Sequence, residues 1–329
     1  MSNNQEQLLL RVKDLNVYYT SGGEKICAVN GVSFEVHKGE TLGLVGETGA
    51  GKTTIAKSIM RILPDPPAKI GGGEIYLQGQ ELLSLPEKKM QTIRGKKISM
   101  IFQDPMTALN PVLTVGAQIQ EVISLHEKVS KAESWKRAEE MLELVGIPAE
   151  RSGDYPHQFS GGMKQRVVIA MALACSPELI LADEPTTALD VTIQAQILDM
   201  IKGLKEKQNT SMILITHDLG VVAEVCDRVA VVYAGEIIEY GSKEEIFLYP
   251  SHPYTKGLFG SIPKIHEDVE RLDSIPGLPP NPADLPTGCH FHPRCALCGD
   301  SCGKDEPAMV EIRPGHFVRC TACTASKEV

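Results

Sequence analysis

The sequence lacks any apolar run long enough to cross a membrane. Its longest apolar stretch, residues 167–175, is bounded by Arg166 and by the polar residues that begin at Ser176, whereas a spanning helix needs roughly 18 apolar residues. The polar start of the chain also lacks the basic region of a secretory signal. We therefore expect a cytosolic protein whose contact with any membrane passes through a partner.

Positive charge is also scarce. The 329 residues carry 33 Lys and Arg against 42 Asp and Glu, which gives a formal net charge of −9. Binding to a nucleic-acid backbone requires a positive face, so this balance disfavours a protein whose main work is coating nucleic acid. The composition, with 42% hydrophobic and 23% charged residues, is that of a soluble globular protein with about two domains.

Short apolar runs alternate with segments of helical spacing along most of the chain, a pattern typical of an α/β domain with a largely parallel sheet. Residues 105–158 are predicted to be mostly helical, with a capping box at Ser130 and Glu133. After residue 241 prolines become frequent, which indicates a loop-rich tail that needs a staple or a supporting surface. The predicted strands are 40–45, 179–182, 212–216 and a hairpin at 228–240 that turns at 234–235.

A glycine-rich segment follows the predicted strand at 40–45 and opens a predicted helix. It fits the pattern G-x-x-x-x-G-K-[ST], in which glycines let backbone N–H groups surround phosphate oxygens at a helix N-terminus. Lys52 is expected to reach the β- and γ-phosphates, and the Thr53 hydroxyl to ligate Mg²⁺. The predicted ATP-binding residues of this phosphate-binding loop and the start of its helix are Gly46, Glu47, Thr48, Gly49, Ala50, Gly51, Lys52, Thr53 and Thr54.

Two acids at the end of the apolar strand 179–182 supply the second half of a nucleotide site. Asp183 is expected to hold Mg²⁺ through water, and Glu184 to orient and polarise the attacking water. On their own, two such acids usually mark only the end of a strand. Together with the phosphate-binding loop they are a strong indication of a site that binds a nucleotide and Mg²⁺.

One further segment distinguishes this chain from other proteins with such a loop. Residues 159–166 have the sequence Phe-Ser-Gly-Gly-Met-Lys-Gln-Arg, similar to the signature Leu-Ser-Gly-Gly-Gln, so the chain resembles the ATP-binding subunit of an ATP-binding-cassette (ABC) transporter. The resemblance implies that Ser160, Gly161 and Gly162 contact the γ-phosphate of a nucleotide held by the other subunit of a dimer. Met163 replaces the usual Gln, a departure similar to the peptide-importer branch.

The same resemblance implies roles for further residues. Gln103 matches the Q-loop, which couples the metal and water to the transmembrane partner, and His217 matches the switch histidine that contacts the γ-phosphate. Asp190 matches the D-loop, and Tyr19 matches the aromatic residue that stacks on adenine, with adjacent Tyr18 as the alternative. The expected catalytic residues are Glu184, His217 and Gln103, and the expected Mg²⁺ ligands are Thr53, Gln103 and Asp183.

The fold implied by the resemblance is α/β. It is a P-loop NTPase of the ABC ATPase type, with a RecA-like core sheet, an antiparallel β subdomain and a helical subdomain. We expect a nucleotide-binding domain at 1–241, with the helical subdomain at about 104–165. A loop-rich, cysteine-containing C-terminal extension is expected at 242–329.

Six of the nine cysteines lie in this extension. In a reducing cytosol such a group favours a metal site over a disulfide framework. Two CxxC pairs, Cys295 with Cys298 and Cys320 with Cys323, suit a zinc site, whereas four cysteines at wider spacing suit a [4Fe–4S] cluster. Spacing alone leaves the two metals open.

The segments 250–258 and 288–295 resemble the C-terminal extension of dipeptide, oligopeptide and nickel importer ATPases. The family pattern uses the wider cysteine set, with Zn²⁺ remaining the alternative and the roles of Cys298 and Cys323 open. Loss of the metal is expected to loosen the tail and to leave nucleotide binding intact. The implied ligands of a [4Fe–4S] cluster are Cys289, Cys295, Cys302 and Cys320.

The resemblance implies an ATPase subunit on the cytoplasmic face of the cell membrane that powers the import of di- or oligopeptides. Its expected partners are two permease subunits, a paralogous ATPase subunit or a second copy of itself, and indirectly an extracytoplasmic peptide-binding protein. A nickel importer of the same branch is the alternative. A soluble ABC ATPase acting on nucleic acid or ribosomes is disfavoured by the acidic balance, and a kinase or GTPase leaves the 159–166 signature unexplained.

Overall fold

A computed structural model describes residues 7–186, 191–261 and 275–324. In these ranges no helix is both long and apolar enough to span a bilayer. The strands are β1 (Leu8–Ser21), β2 (Glu24–His37), β3 (Thr41–Val45), β4 (Ala68–Leu77), β5 (Gln80–Glu81), β6 (Ile98–Ile101), β7 (Leu179–Asp183), β8 (Ser211–Ile215), β9 (Arg228–Tyr233), β10 (Glu236–Ser242), β11 (Val310–Arg313) and β12 (His316–Val318). The helices are α1 (Lys52–Met60), α2 (Glu87–Ile93), α3 (Pro105–Ala108), α4 (Val115–His126), α5 (Lys131–Leu144), α6 (Gly161–Leu173), α7 (Val191–Gln208), α8 (Leu219–Val225), α9 (Lys243–Leu248), α10 (Pro253–Gly260) and α11 (Thr321–Thr324).

The described chain divides into two compact units. The first unit comprises residues 7–8, 37–41, 84–186 and 191–215. The second unit comprises residues 9–36, 42–83, 216–261 and 275–324.

The first unit contains the parallel strands β6, β7 and β8, with β7 between the other two. All their residues are buried, which explains why the sequence shows continuous apolar runs there rather than alternation. The carboxyl ends of β6 and β7 meet at one edge of this sheet, because Ile101 pairs with Ala182. The residues that follow the two strands are therefore brought together.

The helices of the first unit begin where the sequence predicts caps. Ser130 caps α5 by accepting a hydrogen bond from the Glu133 N–H at 3.2 Å. The Glu133 carboxylate accepts from Arg137 at 3.0 Å. Helix α5 ends at Leu144, shortly before Gly146, whose φ of +75° suits only a residue without a Cβ.

The second unit contains two sheets. One is antiparallel, in the order β2-β1-β4-β5, and the other has the order β11-β12-β10-β9-β3, with β3 and β9 parallel. The predicted hairpin is formed by β9 and β10, and its turn at Ala234 and Gly235 has positive φ at both residues, as a two-residue hairpin favours. The sequence predicts only a loop-rich tail, whereas the structure adds two tail strands to this sheet through the pairing of β12 with β10.

A fully buried ion pair joins the tail strand β12 to the sheet. His316 and Glu239 are both inaccessible to solvent, and His316 Nε2 lies 2.8 Å from Glu239 Oε1. The other ring nitrogen lies 3.2 Å from Glu245 Oε2. Both imidazole nitrogens thus face carboxylates, an arrangement that favours the protonated ring, in which both nitrogens donate. Burial alone would lower the pKa of His316, but the hydrogen bonds to Glu239 and Glu245 raise it above its ordinary value.

We predict that raising the pH weakens the attachment of β12. This stabilisation is complete below the ordinary histidine pKa and is lost as the pH rises through the raised pKa of folded His316, because the neutral ring donates only one hydrogen bond. Hydrogen exchange of the amides in β10 and β12, corrected for its intrinsic pH dependence, should show protection that falls as the pH rises above the ordinary histidine pKa. His316→Gln should abolish that fall, and identical pH profiles in both proteins would contradict the assignment.

Candidate functional site

The phosphate-binding loop of the second unit connects β3 to α1 in the predicted context of strand, loop and helix. Gly46 and Gly51 have φ of +153° and +103°. A Cβ on Gly46 would lie 2.1 Å from the Val232 carbonyl oxygen, and one on Gly51 would lie 2.3 Å from that of Ala28. Glycine is therefore required at both positions by conformation and by space.

Lys52 is held against the backbone of this loop. Its ammonium group donates hydrogen bonds to the carbonyl oxygens of Gly46 at 2.7 Å and Glu47 at 2.9 Å, and the residue is 6% exposed. In the described chain no side chain caps the N-terminus of α1, whose N-cap residue is Gly51. The first turn of α1 therefore has the backbone donors and positive dipole end that favour a phosphate.

Two adjacent tyrosines of β1 are the candidates for the adenine contact, and they have different surroundings. The Tyr19 hydroxyl lies 3.3 Å from the Thr54 hydroxyl at the start of α1. Tyr18 instead has the Lys25 ammonium 4.6 Å from its ring centroid and lies against Gly71. Because successive side chains of a strand point to opposite faces, Tyr19 is the one beside the phosphate-binding helix.

His217 lies on an ordered turn of the second unit. The Asp218 carboxylate caps α8 by accepting from the N–H groups of Gly220 at 2.9 Å and Val221 at 3.2 Å. The Thr216 hydroxyl accepts from the Asp218 N–H at 3.0 Å. These bonds fix the backbone on both sides of the exposed His217.

The first unit brings Gln103 and Glu184 into contact. The Gln103 amide donates a hydrogen bond to Glu184 Oε2 at 2.9 Å, as the meeting of β6 and β7 at one sheet edge allows. Glu184 has φ of +47°, a conformation that non-glycine residues rarely adopt, and its N–H donates to the Ile215 carbonyl at 2.8 Å. Asp183 is 3% exposed at the end of β7. Gln103 and Glu184, which are predicted site residues far apart in sequence, thus lie next to each other at the carboxyl ends of β6 and β7.

The signature segment opens helix α6 of the first unit. Ser160 is the exposed N-cap residue, and its hydroxyl accepts from the Met163 N–H at 3.4 Å. Gly161 has open space where a Cβ would stand, whereas a Cβ on Gly162 would lie 2.9 Å from Ile193 Cγ2. The segment therefore presents a helix N-terminus at the surface of the unit. Asp190, the predicted D-loop residue, lies outside the described residues.

The four predicted cluster ligands lie close together in the second unit. The Cys289 N–H donates to the Cys302 carbonyl at 2.8 Å, and Cys302 and Cys320 are each 8% exposed. Burial raises the pKa of Cys289 to about 11, and the neighbouring Cys320, Cys302 and Cys295 add to that rise. All four thiols are therefore within electrostatic reach of one another.

This set of donors has the chemistry of a soft metal site, since thiolates bind both zinc and iron–sulfur clusters. In the described ranges, however, no group of three or more His, Cys, Asp or Glu residues has the spacing to hold a metal ion. The Cys323 thiol donates to the Ser251 carbonyl at 3.1 Å and hydrogen-bonds to Cys320, whose pKa it lowers. The four cysteines are thus neighbours in the fold, and both the presence and the identity of a metal among them are proposals.

Sequence reasoning missed the contact between the tail and the phosphate-binding loop. Arg294 forms a two-pronged ion pair with Glu47, with distances of 2.8 and 3.1 Å. A cavity of about 240 Å³ also separates part of the tail from residues 47–50 of the loop, and its tail lining is Pro279, Pro280, Pro282 and Leu285. The Cys27 N–H donates to the Pro282 carbonyl at 2.9 Å. A lone Arg in a proline-rich segment carries no local signal for a contact so distant in sequence.

Comparisons with known proteins agree with the resemblance. Residues 29–187 match the family model described as ABC transporter, and residues 238–302 match that of the oligopeptide/dipeptide transporter C-terminal region. The chain is 53% identical to an oligopeptide transport ATP-binding protein of Bacillus subtilis (strain 168), over 94% of this chain and 88% of that protein. It is 52% identical to a dipeptide transport ATP-binding protein of the same organism, over 95% and 94%.

A solved structure supports the fold. The dimeric post-hydrolysis state of an ATP-binding cassette bound to ADP and Pi superposes with a TM-score of 0.65 at 30% identity, over 71% of this chain and 99% of that one. The predicted α/β fold of the ABC ATPase type is confirmed, and so is the predicted family. The chain belongs to the ABC transporter family as an ATPase, in the branch of the oligopeptide and dipeptide transport ATP-binding proteins.

Proposed function

We propose that this ATPase powers the import of di- or oligopeptides through membrane permease subunits. Support comes from relatives named for oligopeptide and dipeptide transport that match nearly the whole chain at about half identity. These names favour peptides over nickel, the alternative that the sequence leaves open. The chain then acts at the cytoplasmic face of the membrane, attached through the permease.

The observation that carries the proposal is the 2.9 Å hydrogen bond between Gln103 and Glu184. Glu184 is the group that polarises the attacking water, and Gln103 is the residue through which the permease acts. A displacement of the loop that holds Gln103 moves a hydrogen-bond partner of the catalytic carboxylate. Hydrolysis is thereby coupled to the permease through a single contact.

The other site residues bind and orient Mg·ATP. Lys52 contacts the β- and γ-phosphates, Thr53 and Asp183 hold Mg²⁺, His217 contacts the γ-phosphate and Tyr19 stacks on adenine. Support comes from the fixed backbone around Lys52 and from the position of Tyr19 beside Thr54. The remaining nucleotide contacts are backbone N–H groups of the phosphate-binding loop.

A second ATPase subunit, paralogous or identical, completes each site. Ser160, Gly161 and Gly162 bind the γ-phosphate held by the other protomer through the exposed N-terminus of α6, and Asp190 faces that protomer. Pairing is favoured only while the γ-phosphate is present, so hydrolysis reopens the pair. This closing and opening drives alternating access in the permease.

The permease docks beside Gln103. Three large apolar side chains of this part of the first unit are exposed: Phe102 at 42%, Val112 at 74% and Leu113 at 39%. Phe102 adjoins Gln103 in sequence, and Val112 and Leu113 follow helix α3. Exposed apolar side chains are typical of a protein interface, so they support a permease contact at the segment that follows β6.

Cys289, Cys295, Cys302 and Cys320 hold a [4Fe–4S] cluster, with Zn²⁺ as the alternative. Four thiols of a short tail segment lie within electrostatic reach of one another, and a four-iron cube accepts a wider ligand spacing than the tetrahedron around zinc, whose Zn–S bonds are about 2.3 Å. The cluster ties together a tail with few helices or strands of its own.

Transport itself tests the proposed function. In membranes reconstituted with the permease subunits, the partner ATPase and the binding protein, peptide-loaded binding protein should stimulate ATP hydrolysis and peptide uptake. The same system with nickel in place of peptide serves as the control. Stimulation by nickel alone would overturn the substrate assignment.

Glu184→Gln should retain ATP binding and lose turnover, because the neutral amide cannot accept a proton from the attacking water. We expect kcat to fall by about 100-fold or more while the Kd for ATP changes little. Glu178→Gln, at the opposite end of β7, where Glu178 pairs with Lys97, is the matched control and should hydrolyse ATP normally. Normal hydrolysis by Glu184→Gln would remove this residue from the catalytic role.

Anaerobically purified protein should contain iron and acid-labile sulfide in equal amounts, near four of each per chain. Cys302→Ser should lower both sharply, because Cys302 is buried within the cysteine group. Cys298→Ser, which alters an exposed thiol, should leave both unchanged. Stoichiometric zinc without sulfide would replace the cluster with the alternative metal.

A further inference from the structure

The Arg294 side chain is held on several sides in the interior of the second unit. Its guanidinium nitrogens donate to both carboxylate oxygens of Glu47 at 2.8 and 3.1 Å, and Nε donates to the Pro276 carbonyl at 2.9 Å. Nη1 also lies 3.3 Å from the Tyr233 hydroxyl. The residue is only 8% exposed. A planar guanidinium with this many partners has one well-defined position.

Its partner Glu47 is the residue after Gly46 in the phosphate-binding loop. The Glu47 carbonyl accepts from the Lys52 ammonium at 2.9 Å, and the Glu47 N–H donates to the Tyr254 hydroxyl at 2.9 Å. Both oxygens of the Glu47 carboxylate accept hydrogen bonds from the Arg294 guanidinium. One loop residue is thus fixed by the phosphate-binding lysine and by two residues from the C-terminal part of the chain.

The charge of Glu47 opposes the function of this loop. The loop receives a highly charged anion, and a carboxylate within it repels that anion. Arg294 neutralises the Glu47 carboxylate, and both carboxylate oxygens are hydrogen-bonded to this tail residue. Without Arg294, the partly buried carboxylate of the anion-binding loop would lose its cationic partner.

The turn that carries Arg294 is built between two of the four clustered cysteines. The His292 N–H donates to the Cys289 carbonyl at 2.9 Å, and the Cys295 N–H donates to the His292 carbonyl at 3.2 Å. Arg294 immediately precedes Cys295 in this short helical turn, His292–Arg294. The position of the guanidinium therefore depends on the positions of Cys289 and Cys295.

Aromatic rings connect the same turn to the loop. Phe291 packs edge-on against Tyr233, with ring centroids 5.2 Å apart, and against Tyr254 at 5.5 Å. The hydroxyls of these two tyrosines contact Arg294 and the Glu47 N–H, respectively. The cysteine-bounded turn and the phosphate-binding loop thus share one packed set of side chains.

We propose that Arg294 is a positioning residue of the ATP site, which raises the affinity of the loop for ATP by neutralising and fixing Glu47. The turn that bears Arg294 makes this affinity depend on the state of the four cysteines. We therefore expect loss of a metal held by these cysteines to weaken ATP binding without abolishing it, which revises the expectation from the sequence that nucleotide binding stays intact. The inference rests on the proposed ATP site and cysteine site, and it adds a link between them.

Equilibrium ATP binding to the full chain tests the role of Arg294. Arg294→Met should raise the Kd for ATP by about tenfold or more, since it removes a charged hydrogen-bond pair. In steady-state hydrolysis with the partner subunit, KM should rise while kcat changes much less, because Arg294 does not touch the reacting atoms. Adding Glu47→Gln to Arg294→Met should restore most of the lost affinity, because the unpaired charge is then absent.

Arg319→Met is the matched control. Arg319 directly precedes another of the four cysteines, Cys320, and pairs with Glu236 at 3.6 Å. Within the described residues Arg319 contacts Glu236 and Ile238 and not the phosphate-binding loop, so its substitution should leave the Kd unchanged. Arg294→Lys keeps the positive charge and loses the two-pronged hydrogen bonding of the guanidinium, so its Kd for ATP should rise less. This variant replaces Arg294→Met in the experiment if Arg294→Met does not fold.

Removal of the metal by a chelator tests the link to the cysteines. The wild-type Kd should rise by a factor similar to that of Arg294→Met, whereas the Kd of Arg294→Met should rise no further. If the chelator raises the Kd for ATP of both proteins by the same factor, or leaves the wild-type Kd unchanged, the link between the cysteines and ATP binding is overturned. Failure of the wild type to bind ATP would overturn the proposed function, whereas equal Kd values for wild type and Arg294→Met would overturn only the role of Arg294.

Discussion

The nucleotide site depends on a backbone that is held in place before any ligand arrives. Two glycines allow the loop after β3 to pass within contact distance of the Val232 and Ala28 carbonyls, where a Cβ would collide. The Lys52 ammonium then binds two carbonyls of the same loop. Because the donors are already oriented, little reorganisation is needed when phosphate binds.

An acidic residue within an anion-binding loop is a conflict that the second unit resolves with its C-terminal part. Glu47 is neutralised by Arg294 and its N–H is bound by Tyr254, so the tail contributes to the nucleotide site as well as extending the sheet. In the first unit, the hydrogen bond from Gln103 to Glu184 is the contact through which we propose that the permease acts on hydrolysis.

Local patterns were enough to predict the loop, the strands β7 and β8, the cap at Ser130 and the hairpin turn at 234–235, because each depends on neighbouring residues. The resemblance already favoured Tyr19, with Tyr18 as the alternative. The position of Tyr19 beside α1 needed the structure, since adjacent strand residues differ only in the face they occupy. The pairing of β12 with β10 and the contact of Arg294 with Glu47 join segments far apart in sequence. Such contacts are set by packing and leave no periodic signal.

The central claim is that the segments around Lys52 and Ser160 each form half of a nucleotide site, and that the opposite protomer supplies the other half. Light scattering of this chain in the Glu184→Gln background, with its partner subunit and Mg·ATP, tests it most directly. Lys52→Ala and Ser160→Arg should each weaken ATP-dependent pairing, because each removes one of two composite sites, and the double variant should abolish it. Undiminished pairing by the double variant would contradict the account.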